Sequence, residues 1–135
     1  MKKSPEYPLY EHEDFQVKSF TQKPLTEVNI ESIKNDSLNP EDLRISAEAL
    51  MAQSMIARNA GFSPLAENLE RAAELTSVPN ELLLEFYEAL RPKRSTLQEL
   101  EELANNLENE YGATRCAAFV RECAAVYKGR RLLNI

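Results

Sequence analysis

The sequence predicts an all-α protein: a small irregular helical domain of about five to six helices, with an extended N-terminal arm and a C-terminal antiparallel helix pair. Three observations predict it. Glycine is scarce, with three in 135 residues. The alternation of Val, Ile and Thr that marks half-buried strands is rare. Apolar residues instead recur at steps of three and four, in runs punctuated by Asn-Pro, Ser-Pro and Gly.

Residues 1–24 are the exception to the helical period. They carry Pro5, Pro8 and Pro24, with Tyr7, Leu9, Tyr10, Phe15 and Phe20 spread between charged residues. This composition reads as an extended arm. Five large apolar side chains are many for a free tail, so the arm is expected to lie along a surface, its own or a partner's. Residues 25–135 read as the helical domain.

The domain divides at its punctuation. Thr26 is placed to cap a short helix through about Asn35, with Val28 and Ile33 inward. Asn39-Pro40 supplies a cap and a first-turn proline, and Glu41 and Asp42 suit the positive end of a helix dipole. Ala47, Leu50, Met51, Ser54 and Met55 then mark a buried face, and Gly61 ends that helix. Ser63-Pro64 repeats the cap-and-proline signal, with Leu65, Leu69, Ala72, Ala73 and Thr76 as the inward stripe. Pro79 opens a helix carrying Leu83, Phe86, Tyr87 and Leu90. Pro92 stops it, because proline disfavours the helical region at Arg91. Ser95 and Gln98 have the spacing of a capping box, and Leu97, Leu100, Ala104, Leu107 and Tyr111 follow. Gly112 breaks this helix. A last one, about 113–128, puts Cys116, Val120, Cys123 and Tyr127 on one side.

Charge separates between these last two helices. Residues 97–110 hold five glutamates and no cation, whereas residues 113–135 hold Arg115, Arg121, Lys128, Arg130 and Arg131 against Glu122. A tight turn at Gly112 predicts antiparallel packing with opposite charges facing at the rims. Each exposed pair adds only ~0.2–1 kcal/mol, so the pairing sets register more than stability.

Net charge is −6, which does not suit general binding to phosphate backbones. No apolar run approaches the roughly 20 residues that span a membrane. The first residues, "MKKSPEYPLYEHED", lack the apolar stretch of a secretory signal, so a cytoplasmic location is expected. Cys116 and Cys123 on one helix would lie about 10.5 Å apart, too far for a disulfide. They read as small buried hydrophobes, and no Cys-x-x-Cys or neighbouring histidine makes them a metal site.

Catalytic motifs are missing from the residues. The only histidine, His12, lies in "YEHEDF" among Glu11, Glu13 and Asp14 and reads as a solvated side chain, because a mobile arm cannot hold catalytic geometry. No phosphate loop, nucleophile elbow, His-Glu-x-x-His or calcium loop is found. Glu101 and Glu102 sit among other glutamates, without the contrasting environments that acid–base carboxylates need. The expectation is a domain with no catalytic, cofactor-binding or metal residue of its own.

One stretch stands out from this background. "ALRPKRST", residues 89–96, puts Arg91, Lys93 and Arg94 beside Pro92 in an acidic chain. It has no interleaved aromatics and no helix-turn-helix spacing, which argues against nucleic acid. It reads as a proline-forced corner with a basic helix end, or as a contact for a partner protein.

The segment "RAAELTSVPNELLLEFYEALRPKRSTLQELEELANNLENEYGATRCAAFVREC" resembles the small, or gamma, subunit of the adenosylcobalamin-dependent glycerol and propanediol (diol) dehydratases. Its most telling pieces are "RAAELTSVP" at 71–79, "ALRPKRST" at 89–96 and "AAFVRE" at 117–122. "YPL" at 7–9, "KPLTEVNIE" at 23–31, "LRIS" at 43–46 and "VY" at 126–127 follow the family's order. The resemblance runs over about residues 7–131, with residues 10–22 matching poorly.

The resemblance implies a subunit of a carbon–oxygen lyase that dehydrates glycerol or 1,2-propanediol to the corresponding aldehyde by a radical mechanism. It implies a large (alpha) subunit holding substrate and a monovalent cation, and a medium (beta) subunit supplying most of the adenosylcobalamin site. The small subunit would support assembly of a dimer of heterotrimers and bind no cofactor alone. Its expected contacts are Tyr7, Pro8 and Leu9 on the arm, and Arg91, Pro92, Lys93 and Arg94 at the corner. Relatives packaged in microcompartments often carry an extension ahead of "YPL". Only six residues precede Tyr7 here, which leans toward a glycerol-type or unpackaged enzyme. The other reading is a free-standing helical adaptor for an unrelated protein.

Overall fold

The computed structural model describes residues 4–12 and 15–135. Its regular elements are six α-helices and three 3-10 turns, with no strand among the described residues, so the all-α expectation is borne out. The helices are α1 (Ile30–Lys34), α2 (Ala47–Asn59), α3 (Ser63–Leu75), α4 (Asn80–Ala89), α5 (Leu97–Tyr111) and α6 (Thr114–Arg130). The chain forms two compact units, Met1–Ala73 and Glu74–Ile135, the division falling in the last turn of α3.

The first unit departs most from the sequence reading. The Thr26 helix splits into a 3-10 turn, Leu25–Glu27, and the short α1, which Asn29 caps by accepting from the Ser32 N–H at 2.9 Å. Ile33 points outward with 62 % of its surface exposed. Pro40 does begin a helical turn with a capping box, but it is a 3-10 turn ending at Leu43. The α-helix starts at Ala47 under a Ser46 cap, whose Oγ accepts from the Ala49 N–H at 3.2 Å. The face of α2 is also rotated from the expected one: Ala49, Leu50, Ala52, Ser54 and Ala57 are buried, while Ala47 and Met55 are exposed. Gly61 ends the helix as expected, in the left-handed region at φ 87° that suits glycine. On α3 the buried residues are Ala66 and Ala73, with Leu65 outside. The interior of this unit is therefore built largely from alanine.

The second unit has the larger core. Leu100, Ala104 and Leu107 of α5 meet Cys116, Ala117, Val120 and Ala124 of α6, with Val78 and Phe86 closing the cluster. Leu100, Ala104 and Ala117 have no exposed surface. Burying one leucine this way contributes about 1.5–3 kcal/mol. The small residues let the two helices approach closely. Gly112, at φ 61°, turns the chain between them, and the Ala113 N–H donates back to the Leu107 carbonyl at 2.9 Å. The pair is antiparallel, and Arg121 locks its register. Its guanidinium donates to Glu108 and Asn105 at 2.8 Å each and to Glu101 at 3.1 Å. Its hydrogen bonds to the Glu108 carboxylate, then to Glu101, hold the Arg121 pKa above its ordinary value. Tyr87, expected inward, is exposed.

The start of α6 has no side-chain cap from its own N-cap, Ala113. Glu74, at the end of α3, takes that role from 41 residues away. Its carboxylate accepts from the Arg115 N–H at 3.0 Å and the Cys116 N–H at 2.8 Å. A carboxylate there satisfies two otherwise orphaned donors and meets the positive end of the α6 dipole. Glu74→Ala should therefore lower the unfolding free energy by about 1–2 kcal/mol. Urea denaturation followed by circular dichroism checks this; an unchanged midpoint would remove Glu74 from the capping role.

Candidate partner-docking surfaces

The basic corner is built by two helix ends. α4 terminates where Leu90 N–H donates to the Phe86 carbonyl at 3.1 Å. A turn follows in which the Arg94 N–H donates to the Arg91 carbonyl at 3.2 Å. Pro92 holds its second position, and Lys93 holds its third at φ 65°, the pattern of a type II turn. α5 then starts under Thr96, not Ser95. Thr96 accepts from the Glu99 N–H at 3.2 Å, and Glu99 accepts from the Thr96 N–H at 2.8 Å. The capping box is thus one residue later than expected, because the Ser95 hydroxyl is taken: it donates to the Ala89 carbonyl at 2.7 Å and is buried.

The end of α6 braces this turn. The Tyr127 hydroxyl donates to the Leu90 carbonyl at 2.5 Å. The Lys93 N–H donates to the Leu132 carbonyl at 2.6 Å, and the Asn134 N–H to the Ser95 carbonyl at 2.9 Å. Every residue from Arg91 to Arg94 is exposed. Arg91 and Arg94 share one carboxylate, Glu88, at 3.1 and 3.4 Å. The corner is rigid in its backbone and presents its cations outward. Tyr127→Phe removes the donor that braces α4. It should cost about 1–2 kcal/mol and speed amide exchange at Lys93 and Asn134, read by hydrogen-exchange mass spectrometry.

The arm residues lie in the first unit and the corner in the second. Tyr7 is 81 % exposed, Pro8 is half-buried, and Leu9 is buried. Tyr7 therefore offers surface, while Leu9 serves the packing of its own unit. Together they line one side of an open, mostly apolar recess of about 560 Å³, with Leu25, Leu43 and Ile45 across it. His12 is half-buried and ends the 3-10 turn Leu9–Glu11, its N–H donating to the Leu9 carbonyl at 3.3 Å. Its acidic neighbours Glu13 and Asp14 lie outside the described residues.

Asp42 fastens the arm and was not singled out by spacing for this. The chain doubles back between Lys18 and Pro24, with Gln22 left-handed at φ 68°. Asp42 accepts from the Thr21 hydroxyl, from Lys23 Nζ at 3.0 Å and from the Asn39 N–H at 2.7 Å. Arg44 adds a cation–π contact, 4.5 Å above the Phe20 ring. The hydrogen bonds from Thr21 and Asn39, with that from Lys23, hold the Asp42 carboxyl at about 2, below its usual 3.8. The folded-state pKa is depressed, so the stabilisation is complete above pH 3.8 and disappears as pH falls through about 2. Asp42→Asn should give the acid-side behaviour at neutral pH: faster exchange of the Ser19 and Lys23 amides than in the parent, with the difference vanishing near pH 2. Equal exchange rates at pH 7 would show that Asp42 does not hold the arm.

Among the described residues, no three His, Cys, Asp or Glu side chains cluster so as to hold a metal ion, and no helix is long and apolar enough to cross a membrane. What the surface does offer is apolar. Tyr10, Leu25, Ile30, Leu43 and Phe62 of the first unit each expose more than half of their surface.

Fold and surface thus define a small all-α protein with exposed apolar side chains and no metal-holding cluster among the described residues. Sequence comparison makes the class specific. The dehydratase small subunit family model matches residues 2–134, and the chain belongs to that family. It is 47 % identical over 129 residues to the propanediol dehydratase small subunits of Citrobacter freundii and of Salmonella typhimurium strain LT2. Each alignment covers 96 % of this chain and 75 % of the relative.

Proposed function

We propose that this chain is the non-catalytic small subunit of an adenosylcobalamin-dependent diol dehydratase. The observation that carries the reading is the family match over residues 2–134, together with 47 % identity to two propanediol dehydratase small subunits. The complex removes water from 1,2-propanediol, with glycerol as the second substrate, by a radical route to the corresponding aldehyde. The names of both relatives move the preferred substrate toward 1,2-propanediol, away from the glycerol-type lean drawn from the short segment ahead of Tyr7.

The one imidazole in this chain that could serve as a ligand to a corrinoid metal is His12. It ends a 3-10 turn. On this reading the cofactor, the cation and the substrate belong to the large and medium subunits, and no chemical step passes through this chain. Its work is assembly in the cytoplasm as part of a dimer of heterotrimers. The exposed apolar side chains of the first unit and the braced corner of the second support that role.

Co-expression with the large and medium subunits should give one co-eluting complex. Dehydratase activity with added adenosylcobalamin should fall by about tenfold or more when this chain is left out. A stable monomer that ignores both subunits would return the chain to the adaptor reading.

A further inference from the structure

The end of α6 delivers further cations to the corner. Lys128, Arg130 and Arg131 lie in or just beyond the last turn of that helix, and the Lys93–Leu132 hydrogen bond sets this end against the Arg91–Arg94 turn. Six cations thus lie on two helix ends that backbone hydrogen bonds join at one end of the second unit, in a chain whose net charge is −6. Glu88 is the one carboxylate ion-paired into this pole among the described residues. Lys93, Lys128, Arg130 and Arg131 have no ion-pair partner among those residues.

Two C-terminal helix ends meet here, and cations are favoured at such ends. That does not account for the cluster. The carbonyls at the junction are met by uncharged donors: Ala89 by the Ser95 hydroxyl, Leu90 by the Tyr127 hydroxyl, and Leu132 by the Lys93 backbone. The charged heads are left over. Two of them also sit at a conformational cost. Lys93 and Arg131 are left-handed, at φ 65° and 59°, where glycine would avoid steric strain. Gly112 fills at the end of α5 the position that Arg131 fills at the end of α6. Gln22 and Asp36 are left-handed as well, so it is the unpaired charge of Lys93 and Arg131, and not their backbone alone, that marks the cluster.

We propose that this pole, Arg91, Lys93, Arg94, Lys128, Arg130 and Arg131, is an electrostatic docking site for a carboxylate-rich surface of a neighbouring dehydratase subunit. It rests on the subunit reading above and adds the chemistry of the contact. The Glu88 pairings show the geometry in miniature: one carboxylate engages two guanidinium groups. Protein, not nucleic acid, is the complement, because the rest of this acidic chain would repel a polyanion, whereas a local carboxylate patch is a matched surface.

The test uses the co-expressed complex and two variants. Lys93→Gly/Arg131→Gly removes two charges while relieving backbone strain, so the helical circular dichroism should be unchanged or its melting point raised. Lys93→Glu/Arg131→Glu reverses both charges. Both should weaken association with the preformed large–medium assembly at low salt, the reversal by on the order of tenfold or more, and the gap should close at about 0.5 M salt. Wild-type affinity and an unchanged salt slope in both variants would overturn the docking site while leaving the subunit reading intact. No association of the wild-type chain at all would overturn both. Steeply salt-dependent capture of duplex DNA by the wild-type chain, lost in the reversal variant, would replace the proposal with a nucleic-acid site.

Discussion

The close contact between α5 and α6 is the constraint on which the second unit depends. It is made by small side chains. Ala104, Ala113 and Ala117 have no exposed surface, and any larger residue there would force the helices apart or into strained rotamers. With the distance set, the remaining contacts become possible. Arg121 reaches three partners across the pair. The start of α6 is carried to Glu74, and its far end is carried to Leu90, Lys93 and Ser95. One helix thus joins the end of α3 to the end of α4, and the corner between α4 and α5 is held from outside by α6.

This arrangement explains how an acidic protein can carry a basic pole without losing stability. Cations near one another repel, but these lie where α4 and α6 both present the negative end of a helix dipole. The backbone bonds that fix the pole are made by hydroxyls and amides, so they do not consume its charge. The first unit answers a different problem. Its interior of alanines leaves Tyr7, Ile30, Leu43 and Phe62 outside. The arm is fastened by Asp42, a buried carboxylate that meets a hydroxyl, an ammonium and an amide N–H. Such a polar clip fixes position where apolar packing is thin.

The ends of elements were legible in the sequence; many of their faces and distant partners were not. Gly61, Gly112, Pro79 and Pro92 act through their own φ preferences, so the breaks they announce fall where expected. The corner and the antiparallel helix pair followed from such signals. The faces of the second unit were also readable where burial is complete, as at Leu100, Leu107 and Val120. Ile33, Met55, Leu65 and Tyr87 were not, since a large apolar residue normally signals the interior, and here alanines take that place. The capping box moved by one residue because Ser95 found a better acceptor six positions back. Glu74 and Asp42 gave no local sign of their roles. Glu74 caps a helix 41 residues on, and Asp42 holds Lys23 from 19 residues away.

The same asymmetry between local and distant signals separates the two candidate docking surfaces. "ALRPKRST" was conspicuous because charge, proline and a helix break coincide within eight residues. Its meaning changed once Lys128, Arg130 and Arg131 were placed beside it by a backbone bond 39 residues long in sequence, from Lys93 to Leu132. Three cations at a helix break can be explained as end charges. Six at a junction whose carbonyls are already satisfied, two of them in left-handed backbone, exceed what that explanation requires. The excess points outward, to a surface of opposite charge on a neighbour. On the proposed reading, apolar side chains on one unit and the charged cluster on the other would divide the work of assembly: burial would supply area, and charge would select orientation and partner.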